Sequence, residues 1–442
     1  MKRTSHLLKI LFVLGLAAPC AADWDTPTED SMVMTATTVD GGKGPELIGD
    51  EPGFASCGDV CETCGQCDSC CPCCKCGPPG RFWIRDEYVG WFARGGRVPT
   101  LVGTNPSGGV PTTTPLYGNA TYNGGFRSGN WVQSGMWFDD CKNWGLQGDF
   151  FFVGALSSPF FAQSNGDPVI GRPFVDATNG AITQQLIAFP GSSVGSIGVD
   201  NHNSLNGGGI SLRQNVCCWS GCCDGQSDPC DCNYFCNVDC CRVDLLYGYR
   251  GYRFNDSVGI REHVTSIDQT TGTAVGTTFD VNDNFHTQNN FNGGELGIIL
   301  DRYKGRWIYE GAARFAVGNM QQVVTINGST AVSFPGQPTV VNQGGILALS
   351  SNIGNYTQNS LRVIPMLSGR LGYRVTPRLS FLVGYTVIFF GQVARAGDQI
   401  DTTVNPNLIP PVTGGGPNRP SFAFHTSDLW LQGITIGGEY SF

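Results

Sequence analysis

Ten stretches of this 442-residue chain repeat one pattern: apolar side chains on one face and small, polar or charged ones on the other, alternating over roughly ten residues. In the last of them, Trp430, Ile434, Ile436, Tyr440 and Phe442 share a face against Thr435 and Glu439. In 378–392 the shared face is Leu379, Phe381, Val383, Tyr385, Val387 and Phe389; in 306–317, Trp307, Tyr309, Ala313, Phe315 and Val317 oppose Glu310 and Arg314. A period of two is the pleat of a β-strand, and about ten residues is the length that crosses a bilayer as a tilted strand. The full set is 82–94, 126–138, 144–154, 206–215, 242–254, 291–302, 306–317, 361–374, 378–392 and 429–442. The gaps constrain the fold further. Gaps 95–125, 155–205, 255–290, 318–360 and 393–428 are long and rich in Gly, Asn, Thr and Pro, whereas 139–143, 303–305 and 375–377 are short turns. Long outer loops alternating with short periplasmic turns are the habit of outer-membrane barrels, and a soluble β-sandwich gives no reason for that alternation. The predicted fold is all-β, a transmembrane antiparallel β-barrel of about ten strands, with twelve as the alternative count. An even number returns both termini to the periplasm.

Composition agrees. Charged residues are 14 % of the chain, against about 25 % in a typical soluble protein. A net charge of −9 leaves no electrostatic footprint for nucleic acid. No apolar run reaches the ~18 residues of a membrane helix. Residues 1–22 read as a signal peptide, with Lys2, Arg3 and Lys9 before the apolar stretch 10–18 and Ala21-Ala22 at the cleavage point. Residues 23–80 hold few bulky apolar side chains and read as a disordered, Cys-rich periplasmic tail. The barrel is then 81–442, with a second Cys-rich segment at 216–241 where a short periplasmic turn belongs.

Thirteen charged residues fall on the strand faces opposite the apolar ones: Arg85, Glu87, Asp149, Asp244, Arg250, Glu295, Asp301, Glu310, Arg314, Arg362, Arg370, Arg374 and Glu439. They are expected to face the lumen. Such residues either line a selective pore or pair with each other to fill it. The mixed signs and the small strand count, against the 16–18 strands of aqueous porins, favour a mostly occluded lumen. Gap 155–205, with Gly171-Arg172-Pro173-Phe174, is expected to fold inward as a plug.

The cysteines form two groups, Cys57, Cys61, Cys64, Cys67, Cys70, Cys71, Cys73, Cys74 and Cys76 in the tail and Cys217, Cys218, Cys222, Cys223, Cys230, Cys232, Cys236, Cys240 and Cys241 in the insert. In the predicted topology both groups lie on the periplasmic side, where disulfides are the default and repeated C-x2-C pairs leave zinc as the alternative. The spacing Cys61, Cys64, Cys67, Cys71 and Pro72 also fits an iron–sulfur motif. Nine cysteines in twenty residues satisfy many spacings by chance, so no cofactor is assigned. His202, His263, His286 and His425 fall in predicted outer loops, and no nucleotide-binding or nucleophile-elbow motif is present. No catalytic residue is assigned.

Several segments carry a family resemblance: 82–88 (Phe-Trp-Ile-Arg-Asp-Glu-Tyr), Gly171-Arg172-Pro173-Phe174, 244–250 (Asp-Leu-Leu-Tyr-Gly-Tyr-Arg), 293–297, 351–356, and above all Val383-Gly384-Tyr385 through Arg395-Ala396-Gly397-Asp398-Gln399-Ile400-Asp401 to Val404-Asn405-Pro406. In this order they resemble the planctomycete outer-membrane proteins grouped as the β-barrel porin seven family. The resemblance implies an outer-membrane barrel and brings no catalytic residues. Asp86 and Met366 depart from the family pattern, and the cysteine clusters lie outside it.

Together these readings describe an outer-membrane β-barrel with a structural or cell-surface role and at most limited solute passage. A general diffusion porin is the first alternative and an outer-membrane hydrolase the second. The expected partners are outer-membrane lipid, the barrel assembly machinery, for which Tyr440 and Phe442 form the signal, and other Cys-rich envelope proteins reached through disulfides.

Overall fold

In the computed structural model the described residues are 80–105, 114–220, 239–268 and 273–442; the predicted signal peptide, the tail with its cysteines, and Cys222, Cys223, Cys230, Cys232 and Cys236 lie outside them. Ten long strands form the wall: β1 (Phe82–Ala93), β2 (Gly125–Trp137), β3 (Trp144–Ser157), β4 (Ser193–Ser220), β5 (Asp239–Ser266), β6 (Thr278–Lys304), β7 (Trp307–Ser333), β8 (Gly354–Arg374), β9 (Leu379–Ala394) and β10 (Thr426–Ser441). Each pairs antiparallel with the next, and β1 closes the ring against β10, with Arg85 opposite Glu439. Every one of the ten predicted stretches is one of these strands.

Pleat and register put the predicted apolar faces outward. Leu296, Phe315, Val363, Phe381 and Ile434 are exposed on the outer surface. Beside Leu296, Phe315 and Val363 the inward rows carry Glu295, Arg314 and Arg362. The turns at the near end are short: Gly305-Arg306 alone joins β6 to β7, with Gly305 at φ +58°, the left-handed conformation that a two-residue hairpin turn requires.

The structure corrects the predicted gaps. β4 and β5 are 28 residues long and β6 and β7 are 27, each about 90 Å of extended chain and well beyond the 9–11 residues that cross a bilayer. Much of what reads as outer loop in 155–205, 255–290 and 318–360 is therefore strand. The physical reason is a reversal of polarity along each strand. On β6 the outward residues Leu296 and Ile298 are apolar while inward Glu295 and Asp301 are charged. Farther along, the outward residues become Asn292, Asn290, Gln288 and Asn284, and the inward ones Phe291, Phe285 and Val281. β7 changes at the same level, from outward Phe315 and Val317 to outward Asn319 and Gln321, with Met320, Val324 and Ile326 inside. The first part faces lipid; the second faces water outside and a packed interior within.

His202, His263 and His286 consequently sit on strands β4, β5 and β6 and not in loops. The insert is also shorter than read. β4 continues to Ser220 and β5 starts at Asp239, so Cys217, Cys218, Cys240 and Cys241 belong to the barrel wall.

The outer loops fill the extended wall. Strands Val102–Asn105, Thr114–Tyr117, Val169–Asp176, Ile182–Ala188 and Thr403–Val404 make a separate five-stranded sheet. Its Val102, Ile170, Phe174, Ile187 and Val404 join one apolar core with the inward Val258, Ile260, Phe285, Val324 and Ile326 of the wall.

The polarity reversal predicts opposite tolerances on one strand. Leu296→Arg places a cation in the lipid-facing part and is expected to destabilise the barrel by about 2–4 kcal/mol. Asn284→Arg, on the same face of β6 beyond the reversal, should change stability by less than about 0.5 kcal/mol. Urea unfolding of the refolded barrel in lipid vesicles measures both.

Candidate functional site in the barrel lumen

A tilted strand that faces lipid with one side must place its charges on the other, and ten such strands direct them into one narrow lumen. Three clusters form there. In the first, Arg85 of β1 donates through Nε and Nη2 to Glu439 of β10 (3.0 and 2.7 Å) and through Nη1 and Nη2 to Glu310 of β7 (3.1 and 2.8 Å). Arg370 of β8 donates to both oxygens of Glu87 on β1 (2.9 and 3.0 Å) and to Glu310 (2.6 Å). Glu87 also accepts from Gln133 Nε2 and Thr435 Oγ1.

In the second cluster Arg250 of β5 makes a two-pronged contact with Asp149 of β3 (2.6 and 2.7 Å) and donates through Nε to Glu295 of β6 (2.6 Å). Arg314 of β7 reaches Asp149 at 3.3 Å. The third cluster lies nearest the short turns. Arg213 of β4 bridges Asp244 and Asp301 (2.5 and 2.6 Å), and Arg242 donates to Asp244 at 2.8 Å while its guanidinium lies over the Trp137 ring. Six guanidinium groups thus meet seven carboxylates, and the side chains in these contacts are at most 11 % exposed.

All thirteen predicted lumen charges lie on the inward face, and eleven of them join these clusters. Arg374 is buried at the near rim over the Tyr303 ring. Arg362 is half-buried farther up β8, where its Nη1 donates to the neighbouring Leu361 carbonyl. Sequence reading missed Arg213 and Arg242, although each shares its strand parity with a residue already assigned inward or with the small residues Ser211 and Gly209. Asp86 points outward and Met366 points inward, which settles the faces of the two residues that depart from the family pattern.

Above the charges the lumen is closed by an apolar layer. Trp91, Trp131 and Phe151 pack edge to face, with Tyr252, Phe291 and Phe390 beside them. This layer and the charges share Trp131: its Nε1 donates to Asp149 and its ring lies beneath Arg370.

The predicted plug lies above that layer. Arg172 is buried and donates to Glu262 of β5 (3.2 Å) and Asp283 of β6 (2.5 Å). Asp283 also accepts the backbone N–H groups of Ile346, Leu347 and Ala348, so one carboxylate holds two loops. Glu262 and Asp283 were missed because they lie where the outward alternation has already turned polar. The segment 395–401 also folds inward, with Ala396 and Ile400 in the same apolar core. Arg395 donates to the Arg94 carbonyl, and Asp401 accepts from Thr403 N, Ser421 N and Arg419 Nη1. Burial pushes the Asp401 carboxyl up, but these donors outweigh it and hold it below the usual carboxylate range.

At the near rim Cys141, Cys218 and Cys240 are in disulfides. Cys141 sits in the β2–β3 turn, a position assigned to neither predicted cluster. Tyr440 and Phe442 point outward at the same end with their rings 5.0 Å apart, and the backbone of Phe442 bonds to Phe82 and Arg81. His263 Nδ1 lies 2.6 Å from Asp280 Oδ1, half-exposed on the outer side of the wall. His425 meets Gln399 through its backbone, and Asp428 accepts from Gln392 N.

The family described as Putative beta barrel porin-7 matches residues 83–442. Among solved structures the chain is similar to the outer membrane protease OmpT from Escherichia coli, at 9 % identity and a TM-score of 0.36, over 82 % of this chain and 97 % of that one. It is also similar to the toluene transporter TodX of P. putida (8 % identity, TM-score 0.20, 83 % and 91 % covered) and to a FadL homologue of Pseudomonas aeruginosa (8 %, 0.23, 82 % and 90 %). No curated protein matches.

The clusters predict a steep response to single substitutions. Arg250→Leu leaves Asp149 with the longer Arg314 contact as its cation, beside the neutral Trp131 donor, and strips Glu295 of its closest cation. A loss of about 3–5 kcal/mol is expected for such an uncompensated buried charge, measured as a lower urea midpoint of the refolded barrel.

Proposed function

This chain belongs to the beta barrel porin-7 family, and on that footing we propose that it is a structural, surface-exposed barrel of the outer membrane and not an open pore. The observation that supports this reading is the filled lumen. Paired charges, an apolar layer and inward-folded loops follow one another along the axis, and Glu87, Asp244, Arg250, Trp91, Trp131 and Phe151 are all fully buried. A diffusion pore selects solutes with charges that meet water. Here the guanidinium groups meet carboxylates instead, so most of the fixed charge is compensated within the wall.

The loops held by Asp283, Arg172 and Asp401 give the barrel a rigid outer end to present to the surroundings. In this reading the chain is not an enzyme: the His263–Asp280 pair is a cross-strand pair on the wall, and the lumen carboxylates hold the wall together. Lipid surrounds the belt, the assembly machinery receives the terminal aromatic strand, and the near-rim cysteines tie the periplasmic face to the tail or to another envelope protein.

Planar-bilayer recording tests the central point. The purified, heat-modifiable barrel should give no steady conductance; a large, stable step would overturn the reading in favour of a diffusion porin. Proteolysis without reduction followed by mass spectrometry tests the tether. Peptides from 57–76 linked to 217–241 or to another envelope protein are expected, whereas clusters that alkylate fully without reduction and carry stoichiometric zinc would replace the disulfides by a thiolate metal site.

A further inference from the structure

The lipid-facing belt is uniform around most of the barrel. On β9, for example, its outward positions are Leu379, Phe381, Val383, Tyr385, Val387 and Phe389. One sector breaks this pattern. On β1 the outward row runs Phe82, Ile84, Asp86, Tyr88, Gly90 and Phe92, and Asp86 is exposed midway between the exposed Ile84 and Tyr88. On the adjacent β2 the outward row includes Ser128, Asn130 and Ser134. Asp86 thus sets a charge between apolar neighbours within the belt. Its Oδ1 accepts one hydrogen bond, from Asn130 Nδ2 at 2.7 Å. A carboxylate offers about four acceptor positions, and hydrocarbon supplies no donor for the rest.

A polar seam that faces lipid is costly, and the same seam against a protein surface is not. We propose that β1 and β2 form the interface of a two-fold homodimer, with Asp86 of each copy accepting from Asn130 of the other. The seam itself selects this occupant. It carries an acceptor and a donor side by side, and the serine hydroxyls do both, so the patch complements a second copy of itself, as an isologous interface must. Asp86 and Asn130 are one hydrogen bond apart and therefore lie at one depth. A two-fold axis along the membrane normal keeps both copies in the same orientation and brings equal depths together. Gly438 on β10, which pairs with Asp86 in register, leaves room for close approach. The Phe92–Phe126 edge-to-face pair frames the seam's outer end.

The test counts copies in the bilayer. Full-length protein, labelled once per chain and reconstituted at low protein-to-lipid ratio, is read by single-molecule photobleaching, and light scattering follows the same protein in mild detergent. The wild type is expected to be mainly dimeric. The Asp86→Leu/Asn130→Leu variant, which extends the apolar belt and so should still fold, is expected to lower the dimer fraction at least tenfold. Heat-dependent gel mobility confirms that the variant barrel is folded, and Gln214→Leu, an outward change on distant β4, should leave the dimer intact. A monomeric wild type, a dimer unaffected by the double substitution, or a different protein bound at this seam would each overturn the proposal.

Discussion

Everything in this barrel follows from the requirement that the long strands satisfy two surroundings in turn. In the bilayer the outer face must be apolar, so the charges go inward. Above the bilayer the outer face meets water, so the apolar side chains go inward. Phe315 and Glu310 belong to the first regime; Asn319 and Val324, on the same strand, belong to the second. The wall is thus one continuous sheet with two opposite amphipathic patterns. The interior has to be charged in its membrane part and apolar above.

An interior of that kind cannot stay empty at ten strands. Ions drawn into a low-dielectric lumen need partners with good geometry, since their desolvation otherwise exceeds what Coulombic attraction returns. The clusters meet that condition through two-pronged contacts. They also reach across the lumen: Arg85 of β1 meets Glu310 of β7, and Arg370 of β8 meets Glu87 of β1. Such a network is modest evidence for stability as a whole, because an apolar filling can do as well, but it holds non-adjacent strands at a fixed separation. Trp131 couples it to the aromatic layer above.

The long loops complete the same logic. The upper half of the wall has apolar residues on its inner face, and the loops supply apolar residues to cover them. Arg172 is the one cation carried deep into that region among the plug residues, and two wall carboxylates meet it. Gly171-Arg172-Pro173-Phe174 was recognisable as a segment apt to fold inward. Its partners were not, because Glu262 and Asp283 lie in stretches whose composition is that of loops.

The ten strands and their inward and outward faces were legible in the sequence, since lipid imposes period two wherever it touches the chain. Thirteen lumen charges followed from parity alone. The sequence did not reveal where the strands end, because beyond the belt outward Asn and Gln look like loop composition. It did not say which charges pair, since Arg85 and Glu310 are separated by 225 residues. It also placed Asp86 on a strand without saying what lies against it. Strand register, ring closure and the inward packing of loops decided those points. They are long-range relations between segments, and a local pattern in one segment carries no information about its partner across the barrel.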